Sequence, residues 1–186
     1  SMAAPVVSGM LALMQQYFAA SPFTRTNSPA LNKALLINGA RPAAARYDFA
    51  TRNFINYQGW GVPALTNTLP ESSSLKILGT IGGSEQGTVV AVDQSGLTTN
   101  RLRSGQTHNY EITLSGSAKD TPLRVTLLWT DPPANPGAGV KLVNDLDLTV
   151  SNKASSEVYL GNFFVSGSDF TSAGEPNSTN LNVNVE

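Results

Sequence analysis

The chain has 186 residues, and its 40% hydrophobic content is enough to build a packed core in one domain or two small ones. Twelve basic and thirteen acidic residues leave a formal charge of −1 with no basic cluster, which argues against nucleic acid as a partner. Cysteine is absent, so disulfides, thiolate metal sites and a cysteine nucleophile are excluded.

The first forty residues carry the pattern of two helices. Pro5 stands where the first turn of a helix tolerates proline, and the apolar residues that follow cover more than one face, which predicts a mostly buried helix. Ser28 and Pro29 open a second helix that stops near Asn38. Because polar residues interrupt the apolar run at 6–20, which is shorter than the roughly 18 residues of a membrane span, no membrane helix is predicted.

The stretch from 40 to 70 has no clear hydrophobic period. It contains the run Gly59-Trp60-Gly61, and residues 62–65 are typical of a short helix or a turn. A polar, serine-rich segment at 71–74 then separates this part from the rest of the chain. We therefore expect two domains, residues 1–70 and residues 71–186.

Beyond residue 71 the hydrophobic period becomes two, as in half-buried strands. The predicted strands lie at residues 75–77, 88–92, 107–114, 123–129, 143–150 and 158–160. Short strands separated by Gly, Pro, Asn and Ser turns predict an antiparallel β-sandwich or jelly roll. The polar stretch 166–182 predicts a long loop, and the last residues begin another strand, so we expect the sandwich to be truncated at residue 186.

A hydroxyl residue stands directly before the first predicted helix, in the run Ser1-Met2-Ala3-Ala4-Pro5. At that place the helix dipole stabilises developing negative charge, although an ordinary N-cap explains such a serine as well. The run resembles the nucleophile segment of subtilisin-like serine proteases, Gly-Thr-Ser-Met-Ala-x-Pro. Two further runs follow in the order of that family, namely Leu35-Leu36-Ile37-Asn38-Gly39-Ala40 and Gln58-Gly59-Trp60-Gly61.

The resemblance implies an α+β chain: the C-terminal helices of a subtilisin-like α/β catalytic domain, followed by the antiparallel sandwich. It also implies a secreted serine endopeptidase with Ser1 as the catalytic nucleophile, acting on protein or peptide substrates. In that family the histidine base, its orienting aspartate and an oxyanion-hole amide precede the serine. The upstream part of the catalytic domain is therefore an expected partner, and this chain alone is expected to be inactive.

The one histidine of the chain does not fit the histidine motif of the family. His108 lies in a strand-like run and is expected to be a surface or edge-strand residue. The composition supports secretion, because charged residues make up only 13% while Asn, Ser, Thr and Gly are frequent. The competing hypothesis for function is a non-catalytic extracellular β-sandwich that binds a ligand or stabilises a larger protein.

The second half resembles the C-terminal jelly-roll domain of some bacterial alkaline subtilases. The resemblance rests on four runs in family order, at residues 125–131, 142–148, 159–162 and 184–186.

Asp145 and Asp147 fall on one face of a predicted strand, with side chains roughly 7 Å apart. Two carboxylates at that spacing favour a cation, and nearby oxygen ligands such as Asn144 and Asp131 suit calcium better than zinc. The alternative is that both aspartates face solvent or pair with a basic residue of a neighbouring segment. Calcium is the only ion that the sequence suggests.

Overall fold

The computed structural model describes residues 1–20, 22–41, 43, 59–69, 71, 74–78, 88–93, 102–120, 122–161 and 173. Within these described ranges, three helices fall in the first part of the chain: α1 (Ala3–Ala19), α2 (Pro29–Asn38) and the single turn α3 (Leu65–Thr68). The described residues after them form four short strands, β1 (Leu75–Leu78), β2 (Val89–Val92), β3 (Thr149–Ser151) and β4 (Val158–Leu160). A 3₁₀ helix at Gly116–Asp120 lies between β2 and β3.

Helix α1 confirms the first predicted helix, but the prediction that it is mostly buried is wrong for the described residues. Met14 and Phe18 are fully buried, whereas Val6 and Leu13 are 59% and 54% exposed. The described part of the chain covers one face of the helix, and the other apolar positions face outward. The helix has apolar residues on more than one face, so its sequence alone did not show which face would be buried by the rest of the chain.

Helix α2 confirms the second predicted helix, including both of its ends. The Oγ of Ser28 accepts a hydrogen bond from the backbone N–H of Leu31 at 3.0 Å, so Ser28 is the N-cap. Pro29 occupies the first helical position, where its missing N–H costs nothing. Leu31, Leu35 and Leu36 form the buried face of the helix.

The strands form two separate pairs. β1 and β2 are parallel, with Leu75 opposite Val89. β3 and β4 are antiparallel, with Val150 opposite Tyr159, and a short turn that includes the positive-φ residue Ser156 joins them. The predicted strands at 75–77, 88–92 and 158–160 are thereby confirmed.

The other predicted strands are only partly present. Residues 107–114 lie outside any strand, residues 123–129 contain a single isolated bridge position, and only the end of 143–150 joins a ladder. Some side chains of the predicted inward faces are exposed, with Ile112 at 56% and Leu123 at 48%, whereas Leu146 and Leu148 are half-buried. Alternation predicts a strand only where a second layer covers one face, and the described residues leave Ile112 and Leu123 without that cover.

The chain divides into two compact units, each built from two stretches. One unit comprises Ser1–Asn32 and Leu65–Arg124, and the other comprises Lys33–Ala64 and Val125–Glu186. The division predicted at residue 71 and the predicted sandwich both stay predictions, as do the long loop at 166–182 and the strand at the end of the chain, which lie almost wholly outside the described residues. Among the helices of the described ranges, none has the length and hydropathy of a membrane span.

Candidate functional site

The residue predicted as the nucleophile lies just outside the N-terminus of α1. Ser1 is exposed, and the helix begins two residues later at Ala3. The N-cap is Met2, whose backbone is already helical and whose side chain makes no capping hydrogen bond. No side-chain capping hydrogen bond is present at Met2, and the interpretations of Ser1 as a nucleophile and as an ordinary N-cap both stay predictions.

The electrostatic setting of this helix start favours negative charge. Aligned peptide dipoles place roughly half a positive charge at the N-terminus of a helix. The first turn contains no acidic side chain that would offset this charge. A hydroxyl at this end is thus well placed to react where an oxyanion forms.

The opposite end of α1 is anchored by aromatic packing. The ring centroids of Tyr17, Phe18 and Phe23 lie 5.2–5.5 Å from one another, and the Phe18 ring stands edge-on to the other two rings. The backbone N–H of Arg25 donates to the carbonyl of Phe18 at 2.8 Å, which ties the following turn back onto the helix. These contacts fix the helix that begins next to Ser1.

A partly buried ion pair joins the turn before α2 to the end of β2. The Nη2 of Arg25 donates to Oδ2 of Asp93 at 2.7 Å, and the Asp93 side chain is only 4% exposed. The Oγ of Ser28 donates to the other carboxylate oxygen at 3.1 Å while it caps α2. One carboxylate therefore holds both the arginine and the helix cap.

Sequence reasoning missed this network. Asp93 directly follows the strand β2, and Arg25 precedes the helix signal Ser28-Pro29, but 68 residues separate the two partners. The position of an acidic residue at the end of an apolar strand was the only available signal.

The glycine-tryptophan-glycine run forms a tight turn. Gly61 has a φ of 96°, and a Cβ at this position would lie 2.3 Å from the carbonyl oxygen of Arg41. Arg41 and Val62 exchange two backbone hydrogen bonds of 2.9 and 2.8 Å next to this contact. Glycine is therefore required at residue 61 because two backbones meet there.

The residue expected beside the calcium ligands has a different role. The carboxylate of Asp131 accepts hydrogen bonds from the backbone N–H groups of Val143 at 2.6 Å and Asn144 at 2.9 Å, and from the side-chain amide of Asn144 at 2.8 Å. The hydrogen bond from Val143 is the largest influence that lowers the pKa of Asp131 below its ordinary value. The indole N–H of Trp129 also donates to the carbonyl of Asn144 at 3.1 Å.

Asp145 and Asp147 themselves are both exposed, at alternating positions just before β3. Within the described ranges, no group of three or more histidine or acidic side chains gathers into a metal cluster. The calcium site stays a prediction.

His108 is half-exposed and stands edge-on to the ring of Tyr110, with 6.4 Å between the ring centroids. This environment agrees with a surface residue.

Comparison with known proteins adds evidence on ancestry. No family model matches the chain, and no solved structure gives a match. Two curated relatives from Dictyostelium discoideum do match. The "Serine protease/ABC transporter B family protein tagD" is 30% identical over 200 residues, which cover 87% of this chain and 10% of that protein. The corresponding protein tagB is 29% identical over 225 residues, which cover all of this chain and 11% of that protein.

This chain is related in sequence to proteins named as serine proteases. The chain spans about a tenth of the length of these curated relatives. The relationship supports a protease-related region. The assignments of a subtilisin-like class and of Ser1 as a nucleophile rest on the residues of this chain.

Proposed function

We propose that the chain is the C-terminal part of a secreted subtilisin-like serine endopeptidase, with Ser1 as its nucleophile. The observation that carries the proposal is the position of Ser1: it is exposed, and it lies two residues before a helix whose first turn has no acidic side chain. The names of the two relatives support the same class of chemistry.

The proposed reaction is acyl transfer in two steps. The Oγ of Ser1 attacks the scissile carbonyl carbon while its proton passes to a general base, and the oxyanion forms at the positive end of α1. The C–N bond then breaks, the amine leaves with that proton, and an ester joins the acyl group to Ser1. Water attacks the ester, releases the acid and restores the hydroxyl.

The base and its orienting acid are assigned to the upstream part of the catalytic domain. His108 does not match the histidine motif of the family and stands against Tyr110, so it is not the proposed base. The β-rich part would stabilise the enzyme or present the substrate. A calcium ion at Asp145 and Asp147 would contribute to that stability and take no part in the chemistry.

The test uses the longer protein that includes the upstream residues, and it measures hydrolysis of a fluorogenic peptide. Ser1→Ala is expected to lower kcat by roughly 10⁴-fold or more, as loss of a nucleophile does. Ser8→Ala is the matched control, because the Ser8 hydroxyl donates to the carbonyl of Ala4 within the same helix. Equal activity of the two variants would overturn the proposal. An inactive parent that still binds a polymeric ligand would favour the non-catalytic module.

A further inference from the structure

The start of helix α2 is held by a residue from much later in the chain. We call residues 1–70 the helical half and residues 71–186 the β-rich half. The Oγ of Ser28, which caps α2, donates to Oδ1 of Asp93 at 3.1 Å, and Arg25 donates to the other oxygen of that carboxylate at 2.7 Å. Because the Asp93 side chain is only 4% exposed, water competes little for these contacts. The β-rich half therefore fixes the point where α2 begins.

The end of the same helix is also held by the β-rich half. The Nδ2 of Asn38, the last residue of α2, donates to Oγ1 of Thr126 at 3.0 Å, across 88 residues of sequence. Directly after it, the backbone N–H of Gly39 donates to the carbonyl of Leu35 at 3.0 Å and closes the last turn. Helix α2 has only ten residues, and isolated helices of that length are marginal in water. Its stability must therefore come from tertiary contacts.

The division of the chain into compact units is a separate observation that agrees with these contacts. Each of the two units combines residues from before the segment 71–74 with residues from after it. Ser28 and Asp93 belong to one unit, and Asn38 and Thr126 belong to the other, so each contact lies inside a unit. A helical half that folded by itself would instead form a unit of its own.

We propose that the β-rich half is an intramolecular clamp for helix α2, with Asp93 at the start of the helix and Thr126 at its end. The helical half then depends on the β-rich half for its fold, and the segment 71–74 connects two parts that do not fold separately. The opposite outcome is a pair of domains that fold independently on either side of residue 71. This inference does not depend on the proposed protease activity.

Cleavage of the folded chain between its halves tests the clamp. A recognition sequence for a specific protease is inserted in the segment 71–74, the folded protein is cut there, and the products are separated by size-exclusion chromatography. We expect the two fragments to elute together in native buffer and to separate in urea. Fragments that separate in native buffer at micromolar concentration would overturn the proposal.

The residues of the clamp are tested in the same cut protein. Asp93→Ala with Thr126→Val is expected to make the fragments dissociate at a roughly hundredfold higher concentration, because a buried carboxylate partner is lost. Asp120→Ala with Thr130→Val makes the same two changes at exposed residues and is expected to leave the association unchanged. Equal association of the two double variants would contradict the roles of Asp93 and Thr126.

Hydrogen exchange in the uncut protein gives a test that needs neither cleavage nor a large loss of stability. Thr126→Val removes the acceptor of the Asn38 amide with little change of shape, so exchange of the Gly39 N–H is expected to become roughly fivefold faster. Thr130→Val is the matched control and is expected to leave this rate unchanged. The same rate in both variants would contradict the clamp at the end of α2.

Discussion

Removal of the Asp93 carboxylate is the sharpest test of how this part of the chain is held together. In Asp93→Ala, the Arg25 guanidinium loses its 2.7 Å partner and Ser28 loses the acceptor of its hydroxyl proton. Breaking a buried ion pair by removing one partner costs about 3–5 kcal/mol. Because the Arg25 side chain is 31% exposed, water partly replaces the lost partner, and the lower end of about 3 kcal/mol is expected.

The assay is urea denaturation followed by circular dichroism, supported by thermal melting. A loss of about 3 kcal/mol corresponds to a fall in Tm of roughly 6–12 °C for a chain of this size. Ser28→Ala provides the comparison, since it removes the helix cap and the hydroxyl hydrogen bond to Asp93 but leaves the ion pair, and it is expected to cost about 1–2 kcal/mol.

A double-mutant cycle isolates the ion pair from other effects of the substitutions. Arg25→Ala in the Asp93→Ala background is expected to cost much less than Arg25→Ala alone, with a coupling energy of about 2 kcal/mol. If the two losses were additive to within about 0.5 kcal/mol, the ion pair would not stabilise the fold and the reasoning would be refuted.

Three further predictions follow from packing, pH and metal binding. Phe18→Ala, at a fully buried position, is expected to cost about 3–5 kcal/mol in urea denaturation, whereas Leu13→Ala on the exposed face of the same helix should cost less than about 1 kcal/mol; equal losses would contradict the assigned buried face. Because the pKa of Asp131 is lowered in the folded state, its carboxylate stabilises the fold at pH values above the ordinary carboxyl pKa of 3.8. This contribution is lost as the pH falls through the lower folded pKa, so Asp131→Asn should flatten the dependence of the unfolding free energy on pH below about 4. An unchanged pH dependence would refute the assignment. Millimolar calcium should raise the Tm relative to a chelator, and Asp145→Asn with Asp147→Asn should abolish the shift; identical melting curves for the parent in the two buffers would remove the calcium site.

Local signals in the sequence were sufficient to predict the helices. Pro5 and the Ser28-Pro29 pair mark helix starts through the chemistry of proline and of the cap, which acts within one turn. The strand pattern succeeded where neighbouring strands pair, as at residues 158–160 in β4. It failed at 107–114, because alternation of apolar residues does not show whether another layer covers them, and Ile112 is 56% exposed.

The polar network of the structure was beyond sequence reasoning for a different reason. Arg25 and Asp93 are 68 residues apart, so no local period connects them. Asp131 was predicted to lie near a cation, yet its oxygens accept backbone N–H groups 12 and 13 residues further on. In the sequence, an aspartate in a loop that binds a cation looks the same as one that accepts backbone hydrogen bonds. Only the geometry of the structure distinguishes the two roles.

Ser1 was predicted correctly as a residue at a helix start, but its chemical role depends on groups that the resemblance assigns to an upstream segment. No side-chain capping hydrogen bond is present at Met2, so local geometry alone does not separate a nucleophile from a cap at Ser1. The nucleophile assignment can be tested by chemistry alone.

The most direct measurement is covalent labelling of the longer protein with a fluorophosphonate, followed by digestion and mass spectrometry of the peptides. We expect a single phosphonylated residue, Ser1, with no label after Ser1→Ala or after prior heat denaturation. Label on a different serine, or a folded and active protein that takes up no label at Ser1, would contradict it.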